Sequence, residues 1–473
     1  MLEIGVTNKM GPTGLEKTNR NRSRRDSDAV TRQGLSTQEF SRLNSGDTVR
    51  KPMRASARDK RRKLVLYFAL ALVFVRLSMI HQLLEYLLHH DTYLLYLVAF
   101  PVIAGIPLTG GLRRAFRYRS TWCWTGFALW LIPTSLFSTW KTGSLPILTG
   151  YYKSEFVLLF AIAGLVTTWQ ECRWLLYTIC AAALVNIASV LMFRELDETG
   201  RTRLIFGTVR NSNDYSAHLV FVLPFLLWVI LIAKPKWLRI TGVLVLALAA
   251  FEILAAGSRG GMIGLATAVF LFVLTTPPRI RRVVLVGAPV VAMLIIALLP
   301  PSVTHRIFAF SSNDAEASSE AVESAQDREH LLKDSISATI RHPLFGLGPG
   351  QFINIEGQST AESGHRLWNE AHNSFTQIAS ENGFPGLFFL LGGVLSSFFL
   401  INNTGRFLRG KNGTREAAAA VVCLRIALIS FCITIFFLNF GYYFYLPTLA
   451  GIAIALAASS RQLITSIKQG ARG

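Results

Sequence analysis

The feature that most constrains this chain is a series of apolar runs, each about twenty residues long, that recurs along most of its length. A helix needs about twenty apolar residues to cross a hydrocarbon core of roughly 30 Å. The runs are too long and too uniformly apolar for the alternating strands of a membrane barrel, so the backbone polar groups must be satisfied within helices. The sequence therefore predicts an all-α, polytopic integral membrane protein.

Counting the runs predicts about twelve transmembrane helices and one long polar insert. The predicted spans are 64–84, 91–109, 121–138, 154–169, 173–193, 214–233, 238–256, 260–276, 283–300, 384–402, 417–438 and 442–459. This count divides the chain into a basic tail (1–63), helices one to nine (64–300), the insert (301–383), and helices ten to twelve with a short tail (384–473).

The predicted tail, residues 1–63, is rich in Arg, Ser, Asn and Asp and has few large apolar residues. It cannot bury enough surface to order itself, so we expect it to be disordered. The first apolar run begins only after about sixty residues, too late for a cleavable signal peptide. The first span is therefore expected to be an uncleaved anchor.

The basic residues predict the orientation of the chain. The formal net charge is +20, and Lys and Arg concentrate in the tail and in the even-numbered links between the predicted spans. Short cytoplasmic links carry such an excess, so both termini are expected in the cytoplasm and the odd-numbered links on the outer face. This distribution is produced by membrane insertion, and it disfavours nucleic acid as a partner.

The five cysteines give no sign of a metal centre. Four lie inside apolar runs and Cys172 lies beside one, so neither metal-ligand spacing nor a disulfide framework is present. The sequence predicts no metal.

Arginines lie in outward links, where the insertion trend disfavours them. The link 194–213 contains Arg194, Arg201, Arg203 and Arg210. A guanidinium fork suits bidentate capture of phosphate oxygens. The plainer interpretation is a solvated loop in which these arginines pair with Glu195, Asp197 and Glu198.

Arg259 lies in the tight turn GSRGG, between two predicted spans. The surrounding glycines allow a sharp turn and close approach of a ligand, and they place Arg259 at the start of the next helix. The competing interpretation is an interfacial arginine that extends its charge to water.

The polar stretch from Pro300 to His372 is where chemistry can meet water. From Asp327 it shows a helical pattern with Leu331, Ile336 and Ile340, and it then breaks at HPLFGLGPG. The pattern predicts an amphipathic helix on the membrane surface followed by a rigid loop.

His372 follows, flanked by Glu370 and Asn373 at the outer boundary of the next span. A lone His is more often structural, but a near-neutral imidazole held there could accept a proton. Glu370 and then Glu381 are the next candidates for that role.

Four motifs occur in order on the predicted outer face: RLIFGTVRNSND, GSRGG, DREHLLKDSISATIRHPLFGLGPGQF and EAHNSFTQIASENGFPG. Together, over about Arg201 to Gly386, they resemble the O-antigen ligase and O-antigen polymerase superfamily of bacterial envelope enzymes. The basic tail and Ser212, where the family often has Pro, depart from the family pattern.

The resemblance implies a glycosyltransferase of the inner membrane with a periplasmic active face. It would move a glycan from undecaprenyl pyrophosphate to an acceptor hydroxyl, such as a lipid A core sugar, without metal, nucleotide or other cofactor. It carries the family's catalytic His onto His372 and its arginines onto Arg259, Arg328 and Arg203. Arg201, Arg203 and Arg210 lie close together in the sequence, so the last assignment stays open among them.

The reaction requires a held pyrophosphate charge, exclusion of water and removal of the acceptor proton. Arginines suit the first task and a neutral His the third. No carboxylate pair for a double displacement is evident in the sequence, so inversion of the anomeric centre is expected.

Two alternatives stay open. A polymerase of the same superfamily would use another lipid-linked repeat unit as acceptor. A transporter of lipid-linked glycans would also be polytopic and basic, but transporters often show paired repeats with broken spans, and no convincing internal repeat is present.

Overall fold

The computed structural model describes the backbone of residues 50–197, 200–301, 303–304, 315–354, 357 and 370–470, with side chains from Asp59 to Gln469 except 305–327 and the same gaps. Most of the described residues are α-helical, which confirms the predicted all-α class. A short antiparallel ribbon of β1 (Arg194–Leu196) and β2 (Thr202–Leu204) is the exception within the described ranges.

The first half forms α1 (Arg50–Ser78), α2 (Ile80–Leu88), α3 (Leu94–Leu108), α4 (Gly111–Ala115), α5 (Arg119–Leu136), α6 (Lys141–Gly150), a π-helical turn (Tyr151–Glu155), α7 (Phe156–Leu165) and α8 (Trp169–Phe193). The second half forms α9 (Ser212–Ile232), α10 (Lys236–Ala255), α11 (Arg259–Thr275), α12 (Pro278–Leu298), α13 (Ala315–Arg341), α14 (Ser374–Leu408), α15 (Arg415–Thr434), a 3₁₀ turn (Ile435–Phe437) and α16 (Tyr445–Gly470).

Each of the twelve predicted spans overlaps one of these helices or the bent pair α1–α2. Among the described residues, eight helical stretches are long and apolar enough to cross a membrane, and the pair α1–α2, bent by 65°, would make a ninth. The helices α3 and α11 have only 15 and 17 residues. The chain is thus a multi-pass membrane protein, and the count of twelve stays a prediction.

The boundary of the basic tail differs from the prediction. Residues 1–49 lie outside the described residues, but the chain is helical from Arg50, where the sequence predicted disorder as far as 63. Intrahelical ion pairs explain part of the difference, because Asp59 lies 2.9 Å from Arg62 and 3.5 Å from Lys63. Arg62 is also held by tertiary contacts, to Glu171 at 2.8 Å and to the carbonyl of Leu165.

The links between helices gather at two separate polar ends. At one end, Arg173 near the start of α8 pairs with Glu416 in the first turn of α15, at 3.4 Å. At the other, the backbone N–H of Thr139 donates to the carbonyl of Leu347 in the insert. Links predicted to be cytoplasmic contact one another, and links predicted to be on the outer face contact one another. This segregation agrees with helices that cross in alternating directions.

Candidate functional site

The loop after α13 docks on a break in α14. Gly383 interrupts α14 with φ 67°, a left-handed conformation that favours glycine. The backbone N–H of Phe384 donates to the carbonyl of Pro343, while the N–H groups of Leu347 and Gly348 donate to the carbonyls of Ser380 and Glu381. The insert loop thus satisfies carbonyl groups of α14 beside the break.

The prediction of a helix followed by a rigid loop agrees with the described part of the insert. Residues 302, 305–314, 355–356 and 358–369 lie outside the described residues. The helix α13 starts at Ala315, earlier than the predicted Asp327, and the loop glycines Gly346, Gly348 and Gly350 all have positive φ. A Cβ at Gly346 would collide with the backbone of Glu381, so the glycine permits the close approach.

The predicted apolar stripe of α13 divides into two faces. Leu331 is buried with Leu347, Phe352 and Ala371 in a small hydrophobic cluster of its own. Ile336 and Ile340 are 46% and 66% exposed. The buried face attaches the insert to the residue that precedes His372, and the exposed face leaves apolar side chains for the membrane surface.

Glu381 ties the insert loop to α14. Its side chain is 3% exposed and accepts hydrogen bonds from the N–H of Gly350 (2.8 Å), the N–H of Phe352 (3.3 Å) and the hydroxyl of Tyr442 (2.6 Å). The Tyr442 hydroxyl in turn accepts from the amide of Asn382 at 2.6 Å. One carboxylate therefore connects the insert, α14 and the link before α16.

His372 is the residue immediately before the N-cap of α14. The cap is Asn373, whose side-chain oxygen accepts from the N–H groups of Phe375 and Thr376. His372 itself has φ 48°, uncommon for a residue other than glycine. Such backbone persists only where the surrounding structure holds it, and here the cap on one side and the buried Ala371 on the other do so.

The surroundings of His372 keep its imidazole neutral. Burial lowers the pKa of His372 below the ordinary 6.5, and the nearby Arg328 guanidinium lowers the pKa further, whereas Glu370 acts in the opposite direction. The dominance of the first two effects favours the neutral form near pH 7. A neutral imidazole at the surface of a helix N-terminus can accept a proton from a bound hydroxyl.

A cavity of about 260 Å³ opens beside these residues. Its lining comes from α6, the insert loop, the start of α14 and the link before α16: Ile147, Gly350, Phe352, Ile353, Glu370, Ala371, Gln377, Glu381, Asn439, Tyr442 and Tyr443. Glu370 accepts a 2.6 Å hydrogen bond from the Asn439 amide. His372 directly follows two of the lining residues.

The tyrosines of this cavity are kept protonated. Burial raises the pKa of Tyr443 to about 12, with further contributions from the Asp214 and Glu370 carboxylates. Burial also raises the pKa of Tyr442 well above its ordinary value, and Glu381 adds to that effect. Both hydroxyls can therefore act as hydrogen-bond donors at neutral pH.

The ribbon arginines pair with acids of the same ribbon. Arg203 lies opposite Glu195 in the register and contacts its carboxylate at 3.2 Å, and Arg201 contacts Asp197 at 3.0 Å. These pairings are those of the plainer interpretation of the sequence, while phosphate binding by Arg203 stays a prediction. Glu198 lies outside the described residues. Arg210 is exposed, just before the N-cap of α9.

Arg259 is the first residue of α11. The N-cap Ser258 accepts from the N–H of Gly261, and the missing side chains of Gly260 and Gly261 let this end of the helix approach Phe437 and Ser216. A half-buried guanidinium at a helix N-terminus adds to the positive end of the helix dipole. Both favour an anion at this position.

The structure brings Arg328 within electrostatic range of His372, but it draws Arg203 to Glu195. Sequence reasoning missed Asn439, Tyr442 and Tyr443, which come from the short link before α16. The signal was available, because that link is odd-numbered and so shares the predicted outer face. Asp214 was missed too, since it lies in the first turn of a span.

Among the described residues, no group of three or more His, Cys, Asp or Glu side chains is arranged to hold a metal ion. A metal-independent site stays a prediction.

A protein-family model matches part of this chain. Residues 244–391 match the model described as O-antigen ligase. The matched stretch contains Arg259, Arg328, His372 and Glu381, but not the ribbon or the link before α16. No curated protein matches the chain.

Proposed function

We propose that this chain transfers a glycan from undecaprenyl pyrophosphate to a hydroxyl of a lipid A core sugar. The match of residues 244–391 to the O-antigen ligase model supports the proposal. The reaction takes place at the periplasmic face of the bacterial inner membrane, with both chain termini in the cytoplasm.

The observation that carries the proposal is His372 at the N-terminus of α14, with a lowered pKa, beside Arg328 and next to the cavity. A neutral base near a positive side chain is what glycosyl transfer from a pyrophosphate needs. The base accepts the proton of the incoming hydroxyl, and the cation stabilises the leaving group.

The residues divide the work as follows. Arg259 at the start of α11 and Arg328 hold the pyrophosphate, with Arg203 and Arg210 supplying further positive charge at its periphery. The acceptor oxygen attacks the anomeric carbon, and His372 takes its proton. The bond from that carbon to the pyrophosphate oxygen breaks, and the electron pair leaves with undecaprenyl pyrophosphate.

We propose that the transfer inverts the anomeric centre. The fold brings Asp214 and Glu370 within electrostatic range of each other, so carboxylates are nearer than the sequence indicated. Glu370 is held by Asn439, however, and a single displacement with His372 as base needs no carboxylate nucleophile. The anomeric configuration of the product, read by NMR, tests this step.

The decisive experiment combines purified protein with undecaprenyl pyrophosphate glycan and rough lipopolysaccharide as acceptor. Formation of a glycosidic bond to the core sugar supports the ligase. Elongation of the lipid-linked glycan instead identifies a polymerase, and movement of donor across a vesicle without bond formation identifies a transporter. Deletion of the gene gives a second readout: polysaccharide left on the lipid carrier indicates a ligase, and single repeat units on the core indicate a polymerase.

A further inference from the structure

We infer that the cavity beside His372 is the subsite for the acceptor sugar, and that it selects an uncharged sugar ring over an anionic one. This inference rests on the proposed function and deepens it, because it assigns acceptor and donor pyrophosphate to different groups of residues.

The lining of the cavity suits a sugar. It combines aromatic and aliphatic surfaces (Phe352, Ile353, Ile147) with amides and phenols (Gln377, Asn439, Tyr442, Tyr443). Sugar hydroxyls donate and accept hydrogen bonds, and amide, phenol and carboxylate groups offer both partners within one small space. A few polar groups on a mostly apolar wall are typical of small-molecule sites.

One lining residue has an unused hydrogen-bonding group. The amide nitrogen of Asn439 donates to Glu370, but its side-chain oxygen is buried and has no hydrogen-bond partner among the described residues. A buried acceptor without a partner is destabilising, so it is normally satisfied by a ligand or by water. A ligand hydroxyl in the cavity would donate to this oxygen.

The charge of the cavity opposes an anion. Glu370 belongs to the lining, and its carboxylate contributes to the raised pKa of Tyr443 in the same cavity. Like charges repel strongly where water is excluded. None of the eleven described lining residues is Arg, Lys or His, whereas Arg259 and Arg328 lie outside the lining. The pyrophosphate therefore belongs with the arginines, and the cavity is left for the acceptor.

Binding can be measured without turnover. Full-length protein in lipid nanodiscs is titrated with methyl glucoside and N-acetylglucosamine, and with glucuronic acid and glucose 6-phosphate, by saturation-transfer NMR. We expect the neutral sugars to bind at least about tenfold more tightly than the anionic ones. Glu370→Gln should reduce the difference in affinity between neutral and anionic sugars, because it removes a charge that repels anions. Equal or tighter binding of the anionic sugars by the unaltered protein would overturn the inference.

Two variants locate the binding. Asn439→Ala and Tyr443→Phe should weaken neutral-sugar binding and raise the KM for the acceptor several-fold, with little change in donor KM or in turnover at saturating acceptor. The matched control is Asn403→Ala, an exposed asparagine at the other end of α14 that accepts from Arg406. Unchanged sugar binding in both folded variants, checked by thermal melting, contradicts the assignment.

The two proposals can fail separately. If the protein transfers a glycan to a sugar acceptor but shows no preference for neutral sugars, the acceptor subsite is refuted and the proposed transferase activity is retained. The same holds if sugar binding is unchanged in both variants. If neutral sugars bind in a manner that depends on Asn439 but the protein forms no glycosidic bond, the transferase activity is refuted and the sugar-binding site is retained.

Discussion

The carboxylate of Glu381 accepts a 2.8 Å hydrogen bond from the backbone N–H of Gly350. Glu381 belongs to a helix that crosses the membrane, and Gly350 to the polar insert, so this bond connects the two parts of the site. The same carboxylate accepts from the hydroxyl of Tyr442, which also lines the cavity. This acidic side chain therefore adds to the backbone hydrogen bonds that dock the insert loop on α14.

Glu381→Gln should loosen the insert. An amide presents only one acceptor atom and cannot accept from Gly350, Phe352 and Tyr442 together, so at least one buried donor loses its partner, at a cost of about 1–3 kcal/mol. We expect a lower melting temperature, faster proteolysis within the insert and reduced turnover. Glu329→Gln, on an exposed position of α13, is the control and should behave as the unaltered protein. An undiminished melting temperature in Glu381→Gln would refute the role of the carboxylate.

Arg259→Ala should abolish transfer at a normal protein level. Arg259→Lys should recover little, because a point charge cannot reproduce the guanidinium fork. The measurement is initial rate against donor concentration in purified protein. Arg282→Ala, which removes an exposed arginine near the start of α12 on the predicted cytoplasmic side, should leave the rate unchanged. Full activity of Arg259→Lys would show that only charge or interfacial anchoring matters.

His372→Ala should lower turnover by roughly 10²–10⁴, the usual worth of a positioned acid or base. His372→Gln keeps a hydrogen-bonding side chain but loses the proton acceptor, and it should be nearly as inactive. Gln also tolerates the left-handed backbone at this position no better than His, so the strain is matched. The exposed His342, replaced by Gln, is the control. Near-normal turnover of His372→Gln with unchanged melting would move the role to Glu370 and then to Glu381.

The position of the acid limb of the pH–rate profile should depend on the charged neighbours of His372, because they change its pKa. Since the base works when neutral, kcat/KM should fall as pH drops through its pKa, which lies below 6.5. Arg328→Gln removes a charge that disfavours imidazolium, so the limb should move to higher pH. Glu370→Gln removes a charge that favours imidazolium, so the acid limb should move to lower pH when kcat/KM for the donor is measured at saturating acceptor. Shifts in the same direction for both variants would exclude His372 as the titrating base.

The orientation prediction rests on the Lys and Arg content of the short links. A reporter fused after Gly350 should be periplasmic, and one fused after Lys411 cytoplasmic. If both reporters lie on the same side of the membrane, the prediction of twelve alternating spans is wrong, and the proposed periplasmic location of the site is wrong as well.

Much of the site could be found in the sequence because its chemistry resides in short motifs. His372 and Glu370 are two positions apart in one motif, and Arg259 lies in a turn marked by glycines. The pairing of Arg203 with Glu195 could only be offered as one of two interpretations, because it depends on the register of a ribbon that sequence periodicity does not fix. The inward face of α13 was only partly predicted, since Leu331 is buried but Ile336 and Ile340 are not.

The sequence by itself determined the class of the protein, because the cost of unsatisfied backbone groups in hydrocarbon leaves only helices for long apolar runs. It also marked the polar insert and His372. Only the tertiary structure decided what surrounds them: Glu381 beneath the loop, Asn439 and Tyr443 across the cavity, and Arg328 near the imidazole. These residues are far apart in the chain, and which of them meet depends on how the helices pack and where α14 breaks at Gly383, which no local pattern records.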